Sequence, residues 1–190
     1  MIDILSGSGA AASQHNVCID QNVREYFANR YFTLTVLWQK GLIQGIQLGT
    51  GDGSLHCGAG TAPYSDKIAF AMKRYEHQKP VAWPQPPLDW SLIKSSFQKK
   101  VLRTLLESVP FGRTVSYGQL ARLCAAPGSA RAIGRVMSKN PWPLIIPCHR
   151  VIRSEGSLGG FSSGLDLKKR LLALENRFFT QAVANTPAND

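Results

Sequence analysis

No stretch of this chain comes near the ~20 consecutive apolar residues that a membrane-spanning helix needs, and no membrane partner is expected. The opening residues, MIDILSGSGAAASQHN, have neither a basic start nor a sustained apolar core, so they do not read as a secretory signal. Their Gly, Ser and Ala content reads as a partly mobile lead-in with little to bury. Cysteine is scarce as well. Cys18, Cys57, Cys124 and Cys148 form no C-x-x-C pair and no disulfide framework. Reduced thiols follow, and with them an intracellular, non-secreted protein, cytoplasmic in a bacterium or archaeon and nuclear in a eukaryote. P-loop, dinucleotide-glycine and H-E-x-x-H motifs are all missing, so no cofactor and no metal are expected. One metal-like pattern, His15 and Cys18 with His56 and Cys57, leaves a zinc site in the N-terminal lobe open, although H-N-V-C and H-C are weak signals for one.

Carboxylates are few: 12 Asp and Glu against 22 Lys and Arg, for a net charge of +10. The excess is not spread evenly. Residues 91–178 carry fifteen Lys and Arg against Glu107, Glu155, Asp166 and Glu175, a local +11, and the seven basic and eight acidic residues elsewhere leave −1. A basic half beside a neutral half is the footprint of a polyanion partner, nucleic acid above all, although a solvated surface has the same composition. With 44% hydrophobic residues the chain is globular, and 190 residues suffice for one domain or two small lobes.

The expected architecture is α+β. A small N-terminal α/β lobe with an antiparallel hairpin occupies residues 1–90 together with an extension and a linker. A mainly helical C-terminal domain follows over 91–178, then a tail over 179–190. "TLTVLW" (33–38) and "LIQGIQL" (42–48) flank the turn "QKG" and alternate apolar and polar residues, as hairpin strands do. "DKIAFAMKRYEH" (66–77) places Ile68, Ala69, Met72 and Tyr75 on one helical face. "KPVAWPQPPLDW" (79–90), with four prolines, fits neither a helix nor a central strand and is read as the linker between lobes.

The second half predicts a helix over 95–109, its Phe97, Val101, Leu105 and Val109 inward and its Lys99, Lys100 and Arg103 outward. "SYGQ" (116–119) has the form of a capping box and starts a short helix through Cys124. "AAPGS" (125–129) turns the chain, and Ser129 is placed to cap a helix over 130–140 that turns Ile133, Val136 and Met137 inward. Two short helices joined by a Pro-Gly turn in a basic segment suggest a helix-turn-helix. Ser129, Ala130, Ala132 and Gly134 are small, with Arg131 and Arg135 among them. Such a face suits close approach to a narrow groove better than base reading in the major groove.

"NPWPLIIPCHRVI" (140–152) sets a thiol, a titratable base and a fixed cation directly after a buried apolar run. Free cysteine is often simply buried; the other reading of Cys148 is a nucleophile at the edge of a pocket. The last helix, "DLKKRLLALENRF" (166–178), turns Leu167, Leu171, Leu172 and Leu174 inward. Glu175, four residues after Leu171 and three after Leu172, shares that face. A carboxylate there needs a partner, and His149 is the candidate.

These segments, from about Leu88 to Glu175, resemble the O6-alkylguanine-DNA alkyltransferases. The likeness runs through "FQKKVLRTLLESVPFGRTVSYGQLA", "ARAIGRVMSKNP", "IPCHRVI" and "GSLGGFSSGLDLKKRLLALE". The resemblance implies that Cys148 takes the alkyl group from O6 of guanine, with His149 as base through a water and Glu175 orienting it. Tyr117 would stabilise the leaving guanine, and Asn140 would hold the active-site turn. Arg131 would fill the gap left by the flipped nucleotide, while Ser129, Ala130, Ala132, Gly134 and Arg135 face the DNA. Tyr117, Pro143, Val151, Phe161, Ser162 and Ser163 would line the base pocket. Phe161 and Ser163 depart from the tyrosine and glycine common among relatives. The implied partner is double-stranded DNA carrying O6-alkylguanine, with O4-alkylthymine left open, bound by a monomer that reacts once, because a thioether has no easy exit. The alternatives are a lesion-binding sensor without chemistry, against which Cys148 itself argues, and a Cys-His hydrolase, which has no need of the basic helix pair.

Overall fold

The computed structural model describes residues 22–51 and 62–175 of the chain. Their fold is α+β. Three antiparallel strands, β1 (Val23–Ala28), β2 (Phe32–Gln39) and β3 (Leu42–Thr50), form a sheet in the order β1-β2-β3. In β2, Phe32, Leu34, Val36 and Trp38 alternate into the core, so the period-two pattern sets the register. The two-residue turn Lys40-Gly41, both at positive φ, closes the β2–β3 hairpin. A bulge shifts the β2–β3 register between Leu37 and Trp38.

Strand β1 is the element that the sequence pattern does not announce. Its inward positions include Glu25, which breaks the apolar alternation. That carboxylate is buried and satisfied, accepting from Trp38 Nε1 (2.9 Å), the Ala62 amide (3.0 Å) and the Ser65 hydroxyl. Helix α1 (Ser65–Glu76) packs Ile68, Met72 and Tyr75 into the core, as its spacing predicts.

The proline-rich segment is not a free tether. The Ile43 amide donates to Pro87 O (2.7 Å), the Asp89 amide donates to Ile43 O (3.1 Å), and Val81 and Leu88 are buried. The segment thus covers part of the exposed edge of β3, which would otherwise present unpaired backbone groups. The segment leading to Cys148 covers more of that edge: the Ile46 amide donates to Pro141 O (2.8 Å) and Trp142 Nε1 to Ile43 O (2.8 Å).

Helix α2 (Ser96–Ser108) is capped by the Ser95 hydroxyl, and α3 (Tyr117–Leu123) by a full capping box between Ser116 and Gln119. Helix α4 (Ala130–Ser138) is shorter than expected. Ser129 stands at its start, but no side-chain cap bond forms there. Two short strands, β4 (Val115–Ser116) and β5 (Val151–Ile152), pair in parallel, and α5 (Leu165–Glu175) closes the fold. One continuous core joins the sheet, α1, α2, α4 and α5. The lead-in, the His15, Cys18, His56 and Cys57 pattern and the tail lie outside the described residues. Among the described residues no cluster of metal-ligating side chains occurs, and no helix is long and apolar enough to cross a membrane.

Trp142 is fully buried, lies edge-on to Trp90 at 5.0 Å and ties the helical half to β3. Trp142→Phe removes that hydrogen bond and leaves a space, and is expected to lower unfolding free energy by about 1–3 kcal/mol in urea titrations.

Candidate active site

The site begins with Asn140. Its Nδ2 donates to Ile146 O (2.9 Å) and its Oδ1 accepts from the Trp142 amide (3.1 Å), so one side chain pins both ends of the apolar run 142–146. Leu144 sits within that run at φ 74°, a conformation a bulky residue adopts only under restraint. Pro147 then leads into a single 3₁₀ turn, Cys148–Arg150. With three residues per turn, successive side chains spread around the axis. Cys148 reaches a cavity, while His149 and Arg150 reach Glu175. Cys148 therefore stands in a turn just before β5, not at the end of a regular strand.

Glu175 is the hub. Its Oε1 accepts from His149 Nε2 (2.7 Å), the Tyr75 hydroxyl (2.8 Å) and Arg150 Nη2 (3.0 Å). Its Oε2 accepts from Arg150 Nε (2.7 Å) and the Gly112 amide (3.4 Å). Burial opposes ionisation of this carboxyl, but the hydrogen bonds from His149 and Arg150 and the Arg150 charge overcome it and hold it well below the usual carboxylate range. Burial pushes His149 below the ordinary imidazole value, against the pull of Glu175. With His149 neutral, the two-pronged Arg150 contact keeps Glu175 ionised. An ionised Glu175 makes Nε2 the protonated ring nitrogen. Nδ1 is then a bare acceptor, buried and without a partner among the described residues.

Burial pushes the Cys148 thiol up; the Asn140 side chain, the Lys168 charge and the amides of Cys148 and His149 work the other way. The resting group is a thiol, and a neighbouring base must take its proton before sulfur attacks. The cavity in front of it, about 360 Å³, is lined by Tyr117, Gly134, Met137, Ser138, Cys148, Gly160, Phe161 and Ser162. Tyr117 is half-buried at the start of α3. Gly159, at φ 65°, lies so close beneath it that a Cβ would meet the phenol oxygen at 2.8 Å. Only glycine leaves the ring its place.

Of the expected pocket residues, Tyr117, Phe161 and Ser162 line the cavity; Pro143, Val151 and Ser163 do not. Pro143 is buried in the run that Asn140 pins, Val151 is buried in β5, and Ser163 is half-buried in the loop before α5. On α4, Arg131 and Arg135 are exposed, and Ser129, Ala130, Ala132 and Gly134 are half-buried.

Lys168 carries a role the sequence pattern leaves unread. Its ammonium is buried and donates to Val151 O (2.6 Å), Leu158 O and Gly160 O (3.4 Å), tying the glycine-rich loop to β5. Burial pushes it down to about 8, and the nearby Cys148 pulls the other way. The spacing that turns Glu175 inward also turns Lys168 inward, since residues 168, 171, 172 and 175 share one face. Met137, Ser138 and Tyr75 likewise enter the site only through the fold.

A carboxylate with a depressed folded pKa contributes stability that is complete above its unfolded value of about 4.3 and is lost as pH falls toward the folded one. Denaturant titrations are expected to show stability falling between about pH 5 and pH 3, and a shallower fall in Glu175→Gln.

Residues 96–177 match the family described as 6-O-methylguanine DNA methyltransferase, DNA binding domain. The methylated-DNA–protein-cysteine methyltransferase of Mycolicibacterium paratuberculosis is 47% identical over 90 residues, 47% of this chain and 54% of that protein. The human protein of the same name is 44% identical over 107 residues, 55% of this chain and 52% of its own length. The chain thus spans about half the length of the curated relatives it matches. The crystal structure of Mycobacterium tuberculosis OGT in complex with DNA superposes with a TM-score of 0.66 at 28% identity, covering 81% of this chain and 92% of that one. The segment that builds the site, residues 96–177, is thus similar to the DNA-binding domain of 6-O-methylguanine DNA methyltransferase.

Proposed function

We propose that this chain repairs DNA by direct reversal, moving the alkyl group of O6-alkylguanine irreversibly onto Cys148. The observation that carries the reading is Cys148 on the wall of a cavity, with the His149–Glu175 pair behind it and Nδ1 of His149 open to accept a proton. The names of the M. paratuberculosis and human relatives and the DNA complex of M. tuberculosis OGT support it.

The thiol proton of Cys148 passes to His149, by way of a water as the family resemblance implies. Sulfur then bonds to the alkyl carbon while the bond from that carbon to O6 breaks, and its electron pair stays with the guanine. Tyr117, its phenol pKa raised mainly by burial, stays protonated and donates to a ring nitrogen of the leaving base. Ser162 and amides of the loop around Gly160 bond O6. Asn140 acts on the turn, and Lys168 favours the thiolate. The base must leave the helix to enter the cavity, at a cost of a few kcal/mol. Exposed Arg131 enters the stack in its place, and the small residues Ser129, Ala130, Ala132 and Gly134 let α4 approach the minor groove, with Arg135 on phosphate. Residues 91–178 carry this machinery, acting as a monomer on double-stranded DNA inside the cell.

The test is intact mass after incubation with a duplex holding one O6-methylguanine. A net gain of one CH2 per chain is expected, absent in Cys148→Ala. Tight lesion binding with no gain would make the protein a sensor instead. Arg131→Ala is expected to slow repair in duplex by about ten-fold or more, the kinetic equivalent of losing 1.4 kcal/mol. Its reaction with free O6-benzylguanine should change little; equal losses would end the flipping role.

A further inference from the structure

Oxygen Oε1 of Glu175 takes donors from both halves of the chain. His149 Nε2 lies 2.7 Å away, and the hydroxyl of Tyr75, 100 residues upstream on α1, lies 2.8 Å away. Tyr75 is fully buried, its ring edge-on to Phe32 of β2 at 5.5 Å and tilted against Phe111 at 5.4 Å. Phenylalanine would fill that space as well. A buried hydroxyl is costly unless bonded, and this one is spent on the same oxygen that His149 uses.

We propose that Tyr75 is a positioning residue for alkyl transfer, through which the sheet-bearing N-terminal half completes the Cys148–His149–Glu175 relay. The inference rests on the alkyl-transfer function proposed above. Arg150 grips the carboxylate along one edge, and Tyr75 holds Oε1 from the α1 side, so the carboxylate plane and the imidazole it orients are fixed together. Tyr75 also draws negative charge from Oε1. The other polar or charged groups around the pair are Arg150 and Cys148 on their own turn, the Gly112 amide and Lys168 on α5. Without the phenol, Oε1 would turn its full charge on His149. The imidazole would then protonate more readily, so that on the acid side of neutrality more of it is already charged and closed to the thiol proton.

The experiment is a nitrogen-15 NMR titration of the His149 ring in the full chain, alongside single-turnover methyl transfer against pH. Tyr75→Phe is expected to raise the His149 midpoint by about half a unit or more. It should move the acid limb of the rate profile up in pH by the same amount, slowing transfer about three-fold along that limb. Phe32→Leu, which removes the ring contact but not the hydrogen bond, should leave both midpoints in place. If Tyr75→Phe behaves like Phe32→Leu, Tyr75 is a packing residue and the proposal fails. Should Tyr75→Phe not fold, 3-fluorotyrosine at position 75 keeps the shape with a stronger donor and is expected to lower the midpoint; an unmoved midpoint overturns the proposal. The ring titration needs no substrate. Wild-type chain that gains no methyl would therefore sink the repair function while the titration still decides the role of Tyr75.

Discussion

One buried carboxylate organises this molecule. Glu175 lies where an unpaired charge would be prohibitive, and its donors come from α1, from the turn after α2 and from the 3₁₀ turn that carries Cys148. Each donor satisfies the charge, and the charge in turn fixes each donor. The tautomer of His149, the direction of Arg150 and the docking of α1 against α5 all follow from that convergence. Arg150 also reaches Val109 O (2.8 Å), so the cation that neutralises Glu175 anchors the end of α2 as well.

A second cation organises the other side of Cys148. Lys168 gathers three carbonyls that belong to β5 and to the loop over the cavity. Their partial charges make an ammonium tolerable in a buried place. Its proximity to Cys148 ties the shape of the loop to the electrostatics of the sulfur. The same side chain thus holds the pocket wall and sets its charge beside Cys148. The opposite wall comes from α3 and α4, where Tyr117 and Gly134 border both the cavity and the exposed helical face. The cavity lies between a loop fixed by charge and a helix pair fixed by capping and packing.

Much of this was legible in the chain. The β2–β3 hairpin, the capping box at Ser116, the apolar faces of α2 and α5 and the inward turn of Glu175 all follow from patterns spanning fewer than four residues per repeat. Strand β1 was hidden because Glu25 occupies a core position, and its partners, Trp38, Ala62 and Ser65, are far away in sequence. Pro143 and Val151 belong to the right segment, but the pinning by Asn140 and the pairing with β4 place them away from the cavity lining. The proline-rich segment is neither helix nor central strand, as its prolines require, yet its hydrogen bonds to Ile43 have no local signature in the sequence.

By itself the sequence determined the local elements and which side chains each turns inward, because periodicity, caps and turns act between near neighbours; the chemistry expected of Cys148 and its neighbours came from likeness to a family. Only the tertiary structure decided which partner each buried polar group would find: Glu175 for Tyr75, three carbonyls for Lys168, Trp38 for Glu25. The reason is that burial removes water as a partner, and the substitute must come from whatever the packed chain brings within 3 Å or so, at any distance in sequence.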